Sequence, residues 1–230
     1  MMKISVIIPV YNEKKTINEI LEKVLKLKLD LQIIIVDDFS NDGTTEIIKK
    51  LENKVDKVLY HKKNQGKGAA IKTAKNFCKG DLVIIQDADL EYNPNDYFKL
   101  IKPILEKKSN VVYGSRVLGK KRYEVTNFTS TFRIFCNHIL TILSNIINNQ
   151  NLTDAHTCYK ILKIEVFNKI NLVETRFGFC PELTTKLSNL KETIFEVPIE
   201  YNGRTHKNGK KISFKDGVRA IYCLIKYKFF

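Results

Sequence analysis

Ile4-Ser5-Val6-Ile7-Ile8-Pro9 is followed by Ile17, Ile20, Leu21 and Val24 at helical spacing, and then by Gln32-Ile33-Ile34-Ile35-Val36. The first run is short and β-branched, as a strand requires, and Pro9 is expected to end it. Apolar residues recurring every three or four positions predict a helix over Lys14 to Leu27. The last run is nearly all apolar, which suits a strand covered on both faces. The same alternation continues. Thr44 to Leu51 reads as helix, Val58 to Tyr60 as strand, Lys67 to Phe77 as helix and Leu82 to Ile85 as strand. A helix over Asn95 to Leu105 and a strand at Val111 to Tyr113 follow. The expected fold class is therefore α/β, with a mostly parallel central sheet and helices on both faces. Such sheets bind ligands beyond the carboxyl ends of their strands. Tyr11 to Glu13, Asp37 to Ser40 and Asp87 to Glu91 are thereby placed along one edge.

The middle of the chain has a different character. Between Val125 and Thr153 the only Asp, Glu, Lys or Arg is Arg133. Phe128, Phe132, Phe135, Ile139, Ile142, Leu143 and Ile146 recur at helical steps, predicting a long amphipathic helix or helix pair. Its apolar face either fills the core or lies in a membrane interface. Downstream, a helix is expected from Pro181 to Leu190, a strand from Thr193 to Val197 and a basic loop from Gly203 to Lys211. A final helix from Phe214 should carry Val218, Ile221, Leu224 and Ile225 on one side. With no repeat or Pro/Gly/Ser-rich linker, residues 1–230 read as one domain, 1–120 forming one half and 121–230 the other.

The 230 residues suffice for one sizeable core. A net charge of +14 attracts phosphate as nucleic acid, anionic lipid or a phosphorylated substrate. Eight Lys/Arg against two acids from Glu200 to Phe230 concentrate that charge at the carboxyl end. No nucleic-acid module accompanies it, so nucleic acid is not an expected partner. Five scattered cysteines without a Cys-x-x-Cys pair read as reduced thiols. No signal-peptide pattern opens the chain, and no apolar run approaches the ~20 residues that span a bilayer. These features predict a cytoplasmic protein that is soluble or peripheral on a membrane.

Three segments can carry chemistry. Asp87-Ala88-Asp89-Leu90-Glu91 follows an apolar strand. Three carboxylates at alternate positions either converge on a hard divalent cation, Mg²⁺ or Mn²⁺, or form a solvated acidic turn. Asn64-Gln65-Gly66-Lys67-Gly68-Ala69 opens a helix, where backbone N–H groups favour anions; it also reads as a plain turn and cap. It lacks the P-loop and dinucleotide fingerprints, which counts against an NTPase and a dehydrogenase. Asp37-Asp38-Phe39-Ser40-Asn41-Asp42-Gly43-Thr44 caps the next helix and equally suits contacts to a base or ribose.

Pro9-Val10-Tyr11-Asn12-Glu13, Val36 to Thr44, Asn64 to Ala69, Gln86-Asp87-Ala88-Asp89-Leu90 and Gly114-Ser115-Arg116 occur in that order. The set resembles glycosyltransferase family 2, and within it the polyprenyl-phosphate (dolichyl-phosphate) mannose and glucose synthases. The resemblance is strongest over the first 120 residues and continues through Thr153-Asp154, Phe179-Cys180-Pro181-Glu182 and Glu196 to Arg204. It implies a Rossmann-like nucleotide-diphospho-sugar transferase (GT-A) fold, with residues 1–120 holding the donor and 121–230 the acceptor. The implied reaction is metal-dependent, inverting transfer of a hexose from a GDP- or UDP-sugar to a polyprenyl phosphate at the cytoplasmic membrane face. Pro9, Tyr11, Glu13, Val36 and Asp38 match nucleoside contacts. Lys67, Gly68, Asp87 and Ala88 are assigned to the same nucleotide-sugar site. Asp87, Asp89 and Glu91 are the expected metal set, and Asp89 with Arg116 the catalytic pair. Arg116, Arg133, Arg204 and Lys211 are expected at the acceptor phosphate, with Lys210 beside them. Arg133 alternatively snorkels to the surface.

A lipid monophosphate carries ionised oxygens at neutral pH and needs no general base. A saccharide hydroxyl, the alternative acceptor in surface polysaccharide or lipopolysaccharide assembly, needs one. Asp154 and Glu182 are the candidates, unless they only orient an arginine. Asp154-Ala155-His156-Thr157-Cys158-Tyr159-Lys160 departs from the commoner family pattern, which motivates that alternative. His138, His156 and His206 are not expected to be catalytic.

Overall fold

The computed structural model of the protein describes residues 2–118, 128–203 and 214–230, and the side chains of all these except 128–134 and 214–215. Arg204, Lys210, Lys211, His206 and the Arg133 side chain lie outside the described set. The elements are β1 (Ile4–Val10), α1 (Ile17–Leu25), β2 (Leu31–Asp37), α2 (Thr44–Leu51), β3 (Lys57–Tyr60), α3 (Lys67–Lys75), β4 (Leu82–Ile85), α4 (Tyr97–Leu105) and β5 (Val111–Ser115). They continue with α5 (Phe128–Asn148), β6 (Lys160–Lys163), α6 (Ile164–Lys169), α7 (Phe179–Asn189), β7 (Ile194–Pro198) and α8 (Phe214–Phe229).

Among the described residues, seven strands form one sheet in the order β3-β2-β1-β4-β6-β5-β7. The first four are parallel neighbours, while β6 runs antiparallel to both β4 and β5. The mostly parallel α/β expectation holds, but β6 went unread. Lys160-Ile161-Leu162-Lys163 is short and opens on a lysine, although Lys160 is fully buried. Pro9 does not end β1, which runs on to Val10. The Ile7 carbonyl bonds Gln86 on the β4 side and the Val10 carbonyl bonds Asp38 on the β2 side. Alternation therefore turns the Pro9 nitrogen toward β4, whose pairing ends at Ile85, so no ladder bond is lost.

The core is built from the β-branched strand residues, with Ile17, Ile20, Leu21 and Val24 of α1 and Leu100 and Ile104 of α4 closing over them. On the carboxyl-terminal side, α5, α7 and α8 pack on one another. Here one reading is refined and one pair of alternatives is decided. Leu224 of α8 is buried, with Ala220 and Cys223, while Val218, Ile221 and Ile225 are exposed, so the side that carries the four meets the core only at its Leu224 edge. In α5 the small polar residues Thr141, Ser144 and Asn148 are buried, and Phe135, Ile139, Ile142 and Ile146 are exposed. These apolar residues do not fill the core. Thr141 accepts from the Ala155 N–H, and Asn148 donates to Thr185, which explains why the polar side faces inward.

Candidate active site

The parallel strands end at one level, with Val10 beside Asp37 and Asp37 beside Tyr60. A residue in the left-handed backbone region reverses the chain just after each of three strands: Asn12 (φ 54°) after β1, Phe39 (φ 67°) after β2 and Leu90 (φ 59°) after β4. Asparagine tolerates this conformation; phenylalanine and leucine hold it at a cost of roughly 1–2 kcal/mol each. The first two loops are fastened together. Asn12 N donates to Ser40 Oγ and Asn41 N to Asn12 Oδ1, both at 2.9 Å. Asp37 fixes the second loop by accepting from Ser40 N at 3.1 Å and Thr45 Oγ1 at 2.5 Å.

Asp38 is buried and organises the next loop. Its Oδ1 accepts from Gln65 N (2.8 Å) and faces His61 Nδ1 (2.7 Å). Its Oδ2 accepts from Gly66 N (2.6 Å) and Asn64 Nδ2 (2.9 Å). His61 had no signal in the sequence beyond its place after β3. The glycines of the Gly66-Lys67-Gly68 turn serve close packing. A Cβ at Gly66 would lie 2.4 Å from the Thr175 carbonyl oxygen, and one at Gly68 2.3 Å from that of Glu174. Ala69 N donates to Thr175 O, so this part of the helix start is closed by the 174–176 chain.

Lys67 enters the site itself. Its ammonium lies 2.5 Å from Asp87 Oδ1 and 3.1 Å from Cys158 Sγ. Burial pushes its pKa down, but the Asp87 carboxylate outweighs this and holds it well above the usual lysine range. Gln86 is buried, accepting from the Tyr97 and Tyr159 hydroxyls, which fixes the start of the acidic loop. Val36 and Ala88 are also buried, at 0% and 3% exposed, so both belong to the core beneath the site.

The three carboxylates do not converge. Asp87 is paired with Lys67, and Glu91 accepts from the Tyr201 hydroxyl at 2.8 Å. Asp89 Oδ1 accepts from Glu91 N at 3.2 Å. Among the described residues no three His, Cys, Asp or Glu side chains are gathered as a metal site. Hard cations on nucleotides are commonly held by one or two carboxylates plus phosphate oxygens. The donor set around Asp89 fits that mode and not a three-carboxylate cage.

Across the edge, Arg116 follows β5. It forms a two-pronged pair with Asp154, Nε to Oδ2 at 2.7 Å and Nη2 to Oδ1 at 2.8 Å, while its own N–H also reaches Oδ2. Burial would raise Asp154, but the guanidinium prevails and keeps the carboxyl below its ordinary range. Asp154 N and Thr153 are held by Glu196, whose own pKa is raised by burial. Lys160 donates to the Ala155 and Thr157 carbonyls, bracing the same loop, and burial lowers its pKa. Glu182 is fully buried and accepts from Val173 N, Glu174 N and Lys186 Nζ. Asp154 and Glu182 are thus both engaged as structural acceptors. His156 is held neutral, its pKa pushed down to about 4 by burial and then by Lys160.

The family model for glycosyl transferase family 2 matches residues 5–170. The chain belongs to that family. This glycosyltransferase is 29% identical over 236 residues to a dolichol-phosphate mannosyltransferase of Pyrococcus furiosus, covering 99% of this chain and 65% of that protein. The family member thus spans just under two thirds of that relative's length. It is 28% identical over 244 residues to a UDP-N-acetylglucosamine–dolichyl-phosphate N-acetylglucosaminyltransferase of Methanococcus voltae, covering 98% and 96% of the two chains. Among solved structures, glucosyl-3-phosphoglycerate synthase of Mycobacterium tuberculosis, in complex with Mn²⁺, UDP and phosphoglyceric acid, superposes with a TM-score of 0.75. That match covers 99% of this chain and 79% of the other at 16% identity, and it establishes the GT-A fold.

Proposed function

We propose that this glycosyltransferase moves a hexose from a GDP- or UDP-sugar to a polyprenyl phosphate, with inversion, at the cytoplasmic face of a membrane. The observation that carries the reading is the Arg116–Asp154 pair beside a site whose candidate bases, Asp154 and Glu182, are both occupied. An acceptor that arrives with an ionised oxygen needs no base, only a cation to hold it. Arg116, its guanidinium fixed by Asp154 and set over the Tyr201 ring at 5.1 Å, suits that task. Arg133, Arg204 and Lys211 are proposed to join it. The names of the two curated relatives, both acting on dolichyl phosphate, support the acceptor class. The saccharide-hydroxyl alternative rests on the unusual Asp154 to Lys160 segment, and the engagement of Asp154 and Glu182 weighs against it.

On the donor side, Asp89 with Asp87 is proposed to hold Mg²⁺ or Mn²⁺ on the diphosphate, Glu91 acting mainly through Tyr201. When bound, the cation would neutralise charge developing on the leaving diphosphate. Lys67 supplies a second positive charge at the same place. Pro9, Tyr11, Glu13, Val36 and Asp38 are proposed to form the nucleoside site, Val36 from within the core and Asp38 through the 64–66 loop it holds.

Membrane contact is proposed to be peripheral. Among the described residues no helix is long and apolar enough to cross a bilayer. Phe135, Ile139, Ile142 and Ile146 of α5 are exposed, as are Val218, Ile221, Ile225 and Phe229 of α8, a helix that packs on α5 and also carries Lys226 and Lys228. Apolar residues flanked by lysines suit the surface of an anionic bilayer. The test is incubation of the purified protein with radiolabelled GDP- and UDP-sugars, Mn²⁺ and polyprenyl phosphate. Chloroform-extractable label is expected from one donor class; its absence with every donor defeats the reading.

A further inference from the structure

Phe39 has no part in the roles assigned so far. It is 52% exposed, so its ring adds little to the core, and its backbone sits at φ 67°, where a bulky side chain is disfavoured. Glycine would take this turn without strain. Half-exposed and on a disfavoured backbone, phenylalanine is a poor choice for packing here, and an outlier of this kind points toward function.

Its position says which function. Phe39 directly follows Asp38 at the carboxyl edge of the sheet. The loop that presents it is held by Asp37 through Ser40 N and Thr45 Oγ1. The same loop is fastened to the Tyr11–Asn12 turn by the two Asn12 bonds. A ring on a rigid, strained turn loses little further freedom when a ligand covers it.

Building on the donor reading above, we infer that Phe39 is a specificity-determining residue of the donor site, a platform on which the nucleobase stacks. An aromatic face accepts any base without hydrogen bonds, so it sets the strength of the base contact while neighbouring polar groups set its identity.

The protein contains no tryptophan, so Phe39→Trp installs a single indole reporter at the site. The experiment titrates the unaltered protein, Phe39→Gly and Phe39→Trp with UDP and GDP in Mn²⁺, and follows thermal unfolding of each. Phe39→Gly is expected to unfold a few degrees higher as the strain is relieved. The same variant should bind the nucleotide about tenfold more weakly. Phe39→Trp is expected to bind within about threefold of the original protein, with indole fluorescence that changes on titration. Opposite signs for stability and affinity are what a merely structural residue would not give. The inference falls if Phe39→Gly binds as tightly as the original, if it loses stability and affinity together, or if the indole does not respond. Should the unaltered protein bind neither nucleotide, the donor reading itself fails, which is a separate outcome.

Discussion

The strand ends of β1, β2 and β4 and the region after Ser115 build their polar sites in opposite ways. At the strand ends, carboxylates are held mainly by backbone N–H groups and short loops: Asp37 by Ser40, Asp38 by Gln65 and Gly66, Asp89 by Glu91. After Ser115 long cationic side chains join the backbone donors at three of the carboxylates. Arg116 holds Asp154, Lys186 holds Glu182 and Arg219 holds Glu174. The first kind of site is set by the sheet and is rigid wherever the sheet forms. The second depends on individual ion pairs, so a single substitution can disarrange it.

That contrast can be broken by mutation. Asp89→Ala should lower kcat by about 10³-fold while thermal unfolding falls by only a few degrees, because the half-buried carboxylate holds one backbone N–H of its own loop and no part of the sheet. Steady-state kinetics beside calorimetry checks both halves of the claim. Leu224→Asp places an unpaired charge among α7 and α8 and should destabilise the fold by about 3–5 kcal/mol in urea unfolding. Asp154→Asn leaves Arg116 without its carboxylate; acceptor KM should rise at least tenfold while donor KM stays within about twofold. A parallel rise in donor KM would show that the two regions are not separable.

The pH dependence of stability sharpens the comparison further. His156 titrates near 4 when folded and near 6.5 when unfolded, so the unfolded chain binds the extra proton between those values. Stability should fall by about 2–3 kcal/mol as pH drops from 6.5 to 4. His156→Gln should flatten that part of the profile in chemical denaturation. The smallest effect is expected at Ile225, 45% exposed on α8. Ile225→Glu should change stability by no more than about 0.5 kcal/mol and yet reduce sedimentation with phosphatidylglycerol vesicles.

The same contrast explains what could be read from the sequence. In the first 115 residues the apolar periodicity of buried strands and one-sided helices is itself the information, and the elements fell within a few residues of expectation. Helix α1 begins at Ile17 and not Lys14 because the Glu13 carbonyl first closes a turn onto Thr16 and Ile17. The acidic loop was legible as a site, but the Lys67–Asp87 pair was not, since the partners lie twenty positions apart. Beyond Ser115 periodicity misled. It found the apolar stripes of α5 and α8 but could not say which side faced inward, because that is decided by Ala155, Thr185 and Glu174 on other elements. His61 and β6 left no local trace for the same reason: each is defined by a distant partner, Asp38 in one case and β4 with β5 in the other.

The inward-facing polar side of α5 also bears on how the protein behaves in a test tube. A helix with Thr141, Ser144 and Asn148 inside and Ile146, 72% exposed, outside is wetted poorly by water. In dilute buffer without lipid, the outward stripe has only other copies of the chain to meet. The concentration at which the purified protein turns cloudy is then expected to depend on this face together with the exposed apolar residues of α8. Mild detergent or an Ile142→Lys change should raise that limit with the strand-end site untouched, which light scattering would register directly.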